Sequence, residues 1–226
     1  MHRFFVSKKN GDYFDLDDAV LKHIKVTRLE QEHFLCNFEK VFYECELVGK
    51  QAKILQKLTI DHEFKNEVIL IAPVIKMSRY EWLLEKAVEL GVTQIVPLDS
   101  RYTNGTLLKF DIPKKTNRHQ EIIKNAAEQS FRNVIPTYSA PIKFKDIFTT
   151  YASKKIYLAY EGQTTAYEVN SLLTNSVLIV GPEGGFATDE IKFAQTFANV
   201  EIISLGRRIL RAETACLYML SQIKEH

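Results

Sequence analysis

Cysteine is scarce in this chain. The three residues, Cys36, Cys45 and Cys216, form an odd set with no CxxC spacing, which excludes a disulfide framework and a cysteine zinc site. The six histidines are scattered and no HExxH pair occurs, so metal catalysis has no support in the sequence and no metal is expected. Apolar runs are short. The run at 177–180 is far below the ~20 residues that a membrane-spanning helix needs. The opening segment MHRFFVSKKNGDYFDLDD has no unbroken apolar stretch of the kind a signal peptide carries. No repeat, low-complexity tract or block of like charge appears, which sets aside solenoids and charged tails. From these absences, a cytoplasmic protein with no membrane association is expected.

The 226 residues are 46% hydrophobic and 26% charged, an ordinary globular balance with enough chain for one large or two small domains. Thirty basic residues against 28 acidic ones leave a net charge of +2. That balance disfavours histone-like binding but leaves room for a local basic groove. Over the first 66 residues, short aromatic and alternating runs at 3–6, 34–38, 41–47 and 52–58 read as strands, with one helix over 17–29. The polar segment TIDHEFKN (59–66) is the expected boundary between a domain at 1–66 and a second at 67–226.

Past residue 66 the rhythm changes. EVILIAPVI (67–75) is a continuous apolar run, as in a strand covered on both faces. SRYE (78–81) has the pattern of a capping box, which predicts a helix starting at Ser78 and ending at Gly91. Strands are predicted at 93–98, 135–139, 155–160, 176–180 and 201–205, with helices over 115–130 and from 213 to about 224. Alternation of this kind gives an α/β domain with a largely parallel sheet.

In parallel sheets, ligands bind beyond the carboxyl ends of the strands. Two such ends carry unusual loops. Gly181-Pro182-Glu183-Gly184-Gly185-Phe186 joins a fixed φ to paired glycines that permit close backbone approach, and Thr188 is placed to cap the next helix. The loop matches neither GxGxxG nor GxxxxGK[ST]. An acid at Glu183 followed by Asp189 and Glu190 is poor company for a pyrophosphate. A neutral or cationic small molecule suits it better, such as the sulfonium of S-adenosylmethionine (SAM). The second loop, Gly206-Arg207-Arg208-Ile209-Leu210-Arg211, places three arginines within five residues. Arginines there suit phosphates or an acidic or carbonyl group. Ile209 and Leu210 between them need a pocket, a cofactor ring or a partner chain. A tight strand-to-helix connection and a solvated charge run are the plain alternatives for the two loops.

Four segments together, EKAVELGVTQIVPL (85–98), NAAEQSFRNVIP (125–136), LIVGPEGGF (178–186) and SLGRRILRAETA (204–215), resemble the RsmE family. Its members are 16S ribosomal RNA uridine N3-methyltransferases of the SPOUT class. The resemblance covers essentially the whole chain. It implies a SPOUT α/β domain with a deep trefoil knot at 67–226, a small PUA-like RNA-binding domain at 1–66, SAM as cofactor, and a homodimer acting on 16S rRNA of the small subunit. It also implies a cofactor site made of Tyr160, Glu161 and Gly162, of Gly181, Pro182, Glu183, Gly184 and Gly185, and of Ser204, Leu205, Gly206, Ile209 and Leu210. For catalysis, Arg211 is expected to stabilise charge on a uracil carbonyl, with Glu183 and Glu213 as orienting groups or base; helix capping is the equal alternative for Glu213. The RNA contacts expected are Arg3, Lys22, Lys25 and Arg28 in the first domain, and Arg101, Arg118 and Arg132, with Lys114 and Lys115, in the second.

Two places depart from the family pattern. Its VLR motif reads Val26-Thr27-Arg28, followed by Glu30-Gln31-Glu32-His33 in place of a Gly-Asp turn. Its Ser-Glu-Arg-Ser loop reads Ser100-Arg101-Tyr102-Thr103. Both departures bear on RNA more than on the cofactor. Three other readings stand beside the first: a SPOUT enzyme with another RNA target, a non-catalytic RNA-binding assembly factor, and a nicotinamide oxidoreductase, the last weakened by the missing phosphate loop.

Overall fold

A computed structural model describes residues 1–162 and 171–224. The chain divides into two compact units, one formed by Met1–Glu63 with Ala127–Ile135, the other by Phe64–Ala126 with Pro136–His226.

The first unit is built on strands β1 (Arg3–Phe5), β2 (Lys9–Asn10), β3 (Tyr13–Asp15), β4 (Phe34–Phe38), β5 (Val41–Val48) and β6 (Gln51–Leu58), with helix α1 (Asp18–Val26) between β3 and β4. They form one sheet in the order β1-β4-β5-β6-β3-β2, in which β1 runs parallel to β4 and the other pairs are antiparallel. Asp17 caps α1, its carboxylate accepting from the Val20 amide at 2.8 Å. The helix buries Val20 and Ile24 against Phe4, Phe14, Phe34, Cys36 and Cys45 of the sheet. All three cysteines are free and buried.

The segment 127–135 is held in this unit by polar groups. Arg132, 4% exposed, donates to both carboxylate oxygens of Glu63, and the Asn133 side chain donates to the carbonyls of Lys40 and Ile60 at 2.9 and 2.7 Å. A buried charge of this kind needs a close counter-ion.

The second unit contains β7 (Val68–Pro73), α2 (Met77–Glu89), β8 (Gln94–Asp99), a π-helical turn over Leu107–Asp111, α3 (Ile112–Lys114) and α4 (Thr116–Gln129) up to Ala126. It continues with β9 (Thr137–Tyr138), β10 (Ile142–Lys143), α5 (Phe144–Thr150), β11 (Lys155–Ala159), β12 (Leu172–Leu173), β13 (Ser176–Ile179), α6 (Thr188–Ala194), β14 (Val200–Ile203), α7 (Ala212–Ser221) and β15 (Ile223–Lys224). Strands β10-β8-β7-β13-β11-β14 lie in that order with every neighbour parallel, and β9 also pairs with β8. Strands β7 and β13, at the centre of the sheet, are buried along their whole length, as the unbroken hydrophobic runs require.

Two helix starts differ from the sequence reading. Helix α2 begins at Met77, with Lys76 at the cap and no side-chain cap bond, so Ser78 lies inside the first turn. Glu81 does not reach back; its carboxylate accepts from Lys115 at 3.0 Å and from Arg118 at 2.7 Å, and two cations outcompete one amide. Likewise Thr188 is the first helical residue of α6 and not its cap. The Glu190 carboxylate accepts from the Ala187 amide at 2.9 Å instead.

Candidate active site

Five connections leave the carboxyl ends of the parallel strands at one end of the second unit's sheet: 74–76 after β7, 100–104 after β8, and those after β11, β13 and β14. Residues 159–161, 180–183, 185–186 and 204–212, at the ends of the adjacent strands β11, β13 and β14, line a cavity of about 490 Å³ together with Arg79 of the first turn of α2. That size lies within the range of small-molecule sites.

Most of the residues read from sequence as cofactor contacts line this cavity: Tyr160, Glu161, Gly181, Pro182, Glu183, Gly185, Ser204, Leu205, Gly206, Ile209 and Leu210. Arg211 lines it as well. Gly162 and Gly184 do not. A Cβ on Gly162 would meet the Tyr160 ring at 2.6 Å, and one on Gly184 would meet Tyr102 Cβ at 2.9 Å. Gly185 (φ +68°) and Gly206 (φ +100°) occupy backbone regions where a side chain is strained, so both loops depend on glycine for their path. Ile209 is 86% exposed in the cavity wall, a large apolar side chain left without cover.

Four further lining residues are not among the cofactor or catalytic residues expected from the sequence. Arg207 and Arg208 lie in the noted arginine loop, Phe186 closes one wall, and Arg79 enters from the first turn of α2. The only sequence signal at Arg79 was SRYE, read for its serine and glutamate.

The cavity wall thus holds four arginines (79, 207, 208 and 211) against two glutamates (161 and 183). Arg79 is paired with Glu183, and its Nη1 lies 3.6 Å from Glu213 Oε1. The hydrogen bond to Glu183 pushes the Arg79 pKa up, further into the charged form. Glu213 is 6% exposed in the first turn of α7, outside the cavity wall, and its Oε2 has no hydrogen-bond partner.

The loop after β8 is tied to the same region. Arg101 forks onto Asp189 at 2.8 and 2.7 Å, and its amide donates to Glu190 at 3.0 Å. Thr103 Oγ1 accepts from the Ser100 amide and donates to the Leu98 carbonyl. The turn is thereby fixed, with Tyr102 51% exposed at its tip.

The basic residues read as RNA contacts fall into different settings. Lys22, Lys25 and Arg28 are exposed on and just after α1. Arg3 donates to the Gln129 carbonyl at 2.9 Å and lies over the Phe131 ring. Arg118 is exposed and paired with Glu81, Lys114 is exposed, and Lys115 is half-buried on Glu81. Arg132 is buried on Glu63, so its guanidinium is not presented at the surface.

The second unit also holds a buried polar group. His119 Nδ1 is 3.0 Å from Tyr138 Oη, which is 3.3 Å from Tyr80 Oη. Burial pushes the His119 pKa down to about 4. Among the described residues no cluster of His, Cys, Asp or Glu is arranged to hold a metal ion, and no helix is long and apolar enough to cross a membrane.

The RNA methyltransferase domain family matches residues 62–224. A ribosomal RNA small subunit methyltransferase E from Mesomycoplasma hyopneumoniae is 36% identical over 225 residues, covering 98% of each chain. The Bacillus subtilis protein of the same name is 30% identical, over 99% of this chain and 96% of its own. A crystal structure of the Neisseria gonorrhoeae protein of that name, bound to SAM, superposes with a TM-score of 0.84 at 28% identity, over 98% and 95% of the two chains. The chain belongs to the ribosomal RNA small subunit methyltransferase E (RsmE) family, as the four motifs implied.

Proposed function

We propose that this chain is a SAM-dependent methyltransferase that modifies N3 of a uridine in 16S rRNA of the small ribosomal subunit. The observation that carries the reading is that most residues of 160–161, 181–186 and 204–212 line one cavity, with Arg211 in its wall. SAM fits what lines it. The main chain of the glycine loops is open to close approach, Glu161 and Glu183 suit an ammonium or sulfonium, and the arginines suit a carboxylate. When bound, SAM supplies an electrophilic methyl group on a sulfonium.

The protein's own part is to place the base and manage its charge. N3 of uracil is an imide nitrogen that must lose a proton before it becomes a nucleophile. Negative charge then spreads onto the flanking carbonyl oxygens, where a preorganised cation lowers the barrier. Arg211 is the cation assigned to that role. Glu183, in the cavity wall, is the orienting group or proton acceptor. Glu213 lies outside the wall against Arg79 and acts through that residue. Holding the reacting atoms in line supplies much of the remaining rate.

Excess positive charge at the cavity suits an RNA phosphate arriving with the base, and a base in folded RNA must be splayed out to enter. Lys22, Lys25 and Arg28 give the first unit, read as PUA-like, an exposed basic helix for the same RNA. Arg101, Lys114 and Arg118 are the exposed basic residues of the second unit in this reading, while Arg3 and Arg132 serve their own unit. The trefoil knot, the homodimer and the cytoplasmic setting belong to the same proposal. One feature supports the knot. Strand β14 is at the sheet edge, yet α7, which follows it, packs on α2, β7 and β13, so 204–211 returns across the sheet end.

Calorimetry tests the cofactor directly. One SAM is expected to bind per chain, with no comparable binding of NADH. NADH binding without SAM binding would contradict the proposal.

A further inference from the structure

Arg79 stands where three distant parts of the chain meet. It projects from the third residue of α2, pairs with Glu183 of the loop after β13, and approaches Glu213 in the first turn of α7 at 3.6 Å. Its own side chain is about one-third exposed and lines the cavity. Glu183 belongs to the loop 181–186 of the cavity wall, and Glu213 lies in the first turn of α7, directly after the wall stretch 204–212.

The two contacts differ in what they demand. Glu183 is 61% exposed on its side chain, so water satisfies much of its charge. Glu213 is 8% exposed on its side chain, and its Oε2 has no hydrogen-bond partner. A carboxylate so enclosed requires a nearby cation, and among the described residues Arg79 is the one that forms an ion pair with it. Removing that cation leaves an uncompensated charge at the start of α7, two residues from Arg211. The expected response is a shift of that corner toward water, which moves the 206–212 loop and Arg211 together.

We infer that Arg79 is a positioning residue for methyl transfer: through Glu183 and Glu213 it fixes the two loops of the cavity in register and so sets where Arg211 stands. The inference rests on the reading of the cavity as the SAM site. A lysine cannot reproduce the arrangement, because one ammonium is a point charge, whereas the guanidinium fork addresses two carboxylates from separate nitrogens.

The test combines Arg79→Ala, Arg79→Lys, Glu213→Gln and the double variant Arg79→Ala/Glu213→Gln, with SAM affinity measured by calorimetry and kcat and KM measured on small ribosomal subunits. Arg79→Ala is expected to weaken SAM by about tenfold or more and to lower kcat, with KM for the RNA substrate little changed. Arg79→Lys recovers part of the loss. Adding Glu213→Gln to Arg79→Ala also recovers part of it, because the uncompensated carboxylate is gone, so the two substitutions are coupled. A side chain that served only general stability would move the melting temperature and show no such split or rescue. Wild-type SAM affinity and kcat in Arg79→Ala, or losses that combine independently in the double variant, would overturn the inference while leaving the cofactor reading intact. If Arg79→Ala does not fold, Arg79→Lys decides, and unchanged affinity and kcat in it overturn the inference. Failure of the unmodified protein to bind SAM would overturn the cofactor reading and this inference with it.

Discussion

A side chain on Gly184 would begin 2.9 Å from Tyr102 Cβ. The glycine-rich loop after β13 and the turn after β8 therefore pack backbone against side chain, with no room for a methyl group between them. Gly184 thus serves loop-to-loop packing and does not line the cavity. The closest conflict is with Cβ, and the ring's Cγ follows at 3.3 Å, which has a specific consequence. Gly184→Ala is expected to lower stability by about 1–3 kcal/mol and to weaken SAM binding by displacing the loop. Tyr102→Ala keeps its Cβ and does not relieve the conflict, whereas Tyr102→Gly does. Chemical denaturation of the single and double variants checks this, and equal behaviour of the two Tyr102 substitutions in the Gly184→Ala background would contradict the packing.

His119 makes stability depend on pH. Its folded-state pKa, pushed down to about 4 by burial, lies below the ordinary value of 6.5, so between the two the unfolded chain binds the proton more readily. The contribution is present in full above pH 6.5 and is lost as pH falls toward 4. Glu81 acts lower on the scale. The hydrogen bond from Arg118 holds its carboxyl down at about 2, against an ordinary 4.5, so its contribution is lost as pH falls from 4.5 to 2. The unfolding free energy from denaturation curves should fall from pH 7 to 4 for the unmodified protein, by an amount on the order of 1–3 kcal/mol. A flatter profile is expected for His119→Gln, and an unchanged one would remove the histidine from the account.

Exposed lysines on α1 should report RNA without touching the cofactor. Lys22→Ala/Lys25→Ala is expected to weaken RNA binding at low salt and to reduce the slope of log affinity against log salt by about two, one per phosphate contact. SAM affinity should stay at the wild-type value. An unaltered salt slope would take α1 out of the RNA interface.

Arg211 carries the catalytic prediction. Its replacement by alanine is expected to leave SAM binding within a few-fold of wild type and to lower kcat by about 10²–10³, as loss of a charge-stabilising donor does. Full turnover in single-exchange kinetics would place the stabilising charge elsewhere, with Arg207 and Arg208 the next in line.

Much of the fold was legible because burial is periodic or continuous along the chain. The four long runs of the first unit and the apolar stretches at 68–73 and 176–179 became strands at nearly the positions read. What failed to show was decided by tertiary partners. The β4–β5 hairpin turns on Glu39 and Lys40, both left-handed at φ +50° and +68°, where turn chemistry would call for Asn or Gly. The two-residue strands β2, β9, β10, β12 and β15 are too short to show a period. The SRYE pattern misled because Glu81 found two cations some 35 residues away in sequence, which no local rule anticipates. For the site, the glycine and arginine loops announced themselves by composition. Arg79 did not, since its role depends on Glu183 and Glu213 arriving from distant segments. The segment 127–135 was similarly opaque: Arg132 was expected at RNA and Asn133 carried no signal of its own, because their partners Glu63, Lys40 and Ile60 are distant in sequence.

The most direct test of the account is methyl transfer from labelled SAM to small ribosomal subunits that lack the modification, followed by mass spectrometry of the nucleosides released from their RNA. The account predicts label in N3-methyluridine from 16S rRNA, lost in the Arg211→Ala variant. Label in a ribose or in another base would keep the methyltransferase and contradict the chemistry assigned to the cavity. RNA binding with no label transferred would contradict the central claim outright.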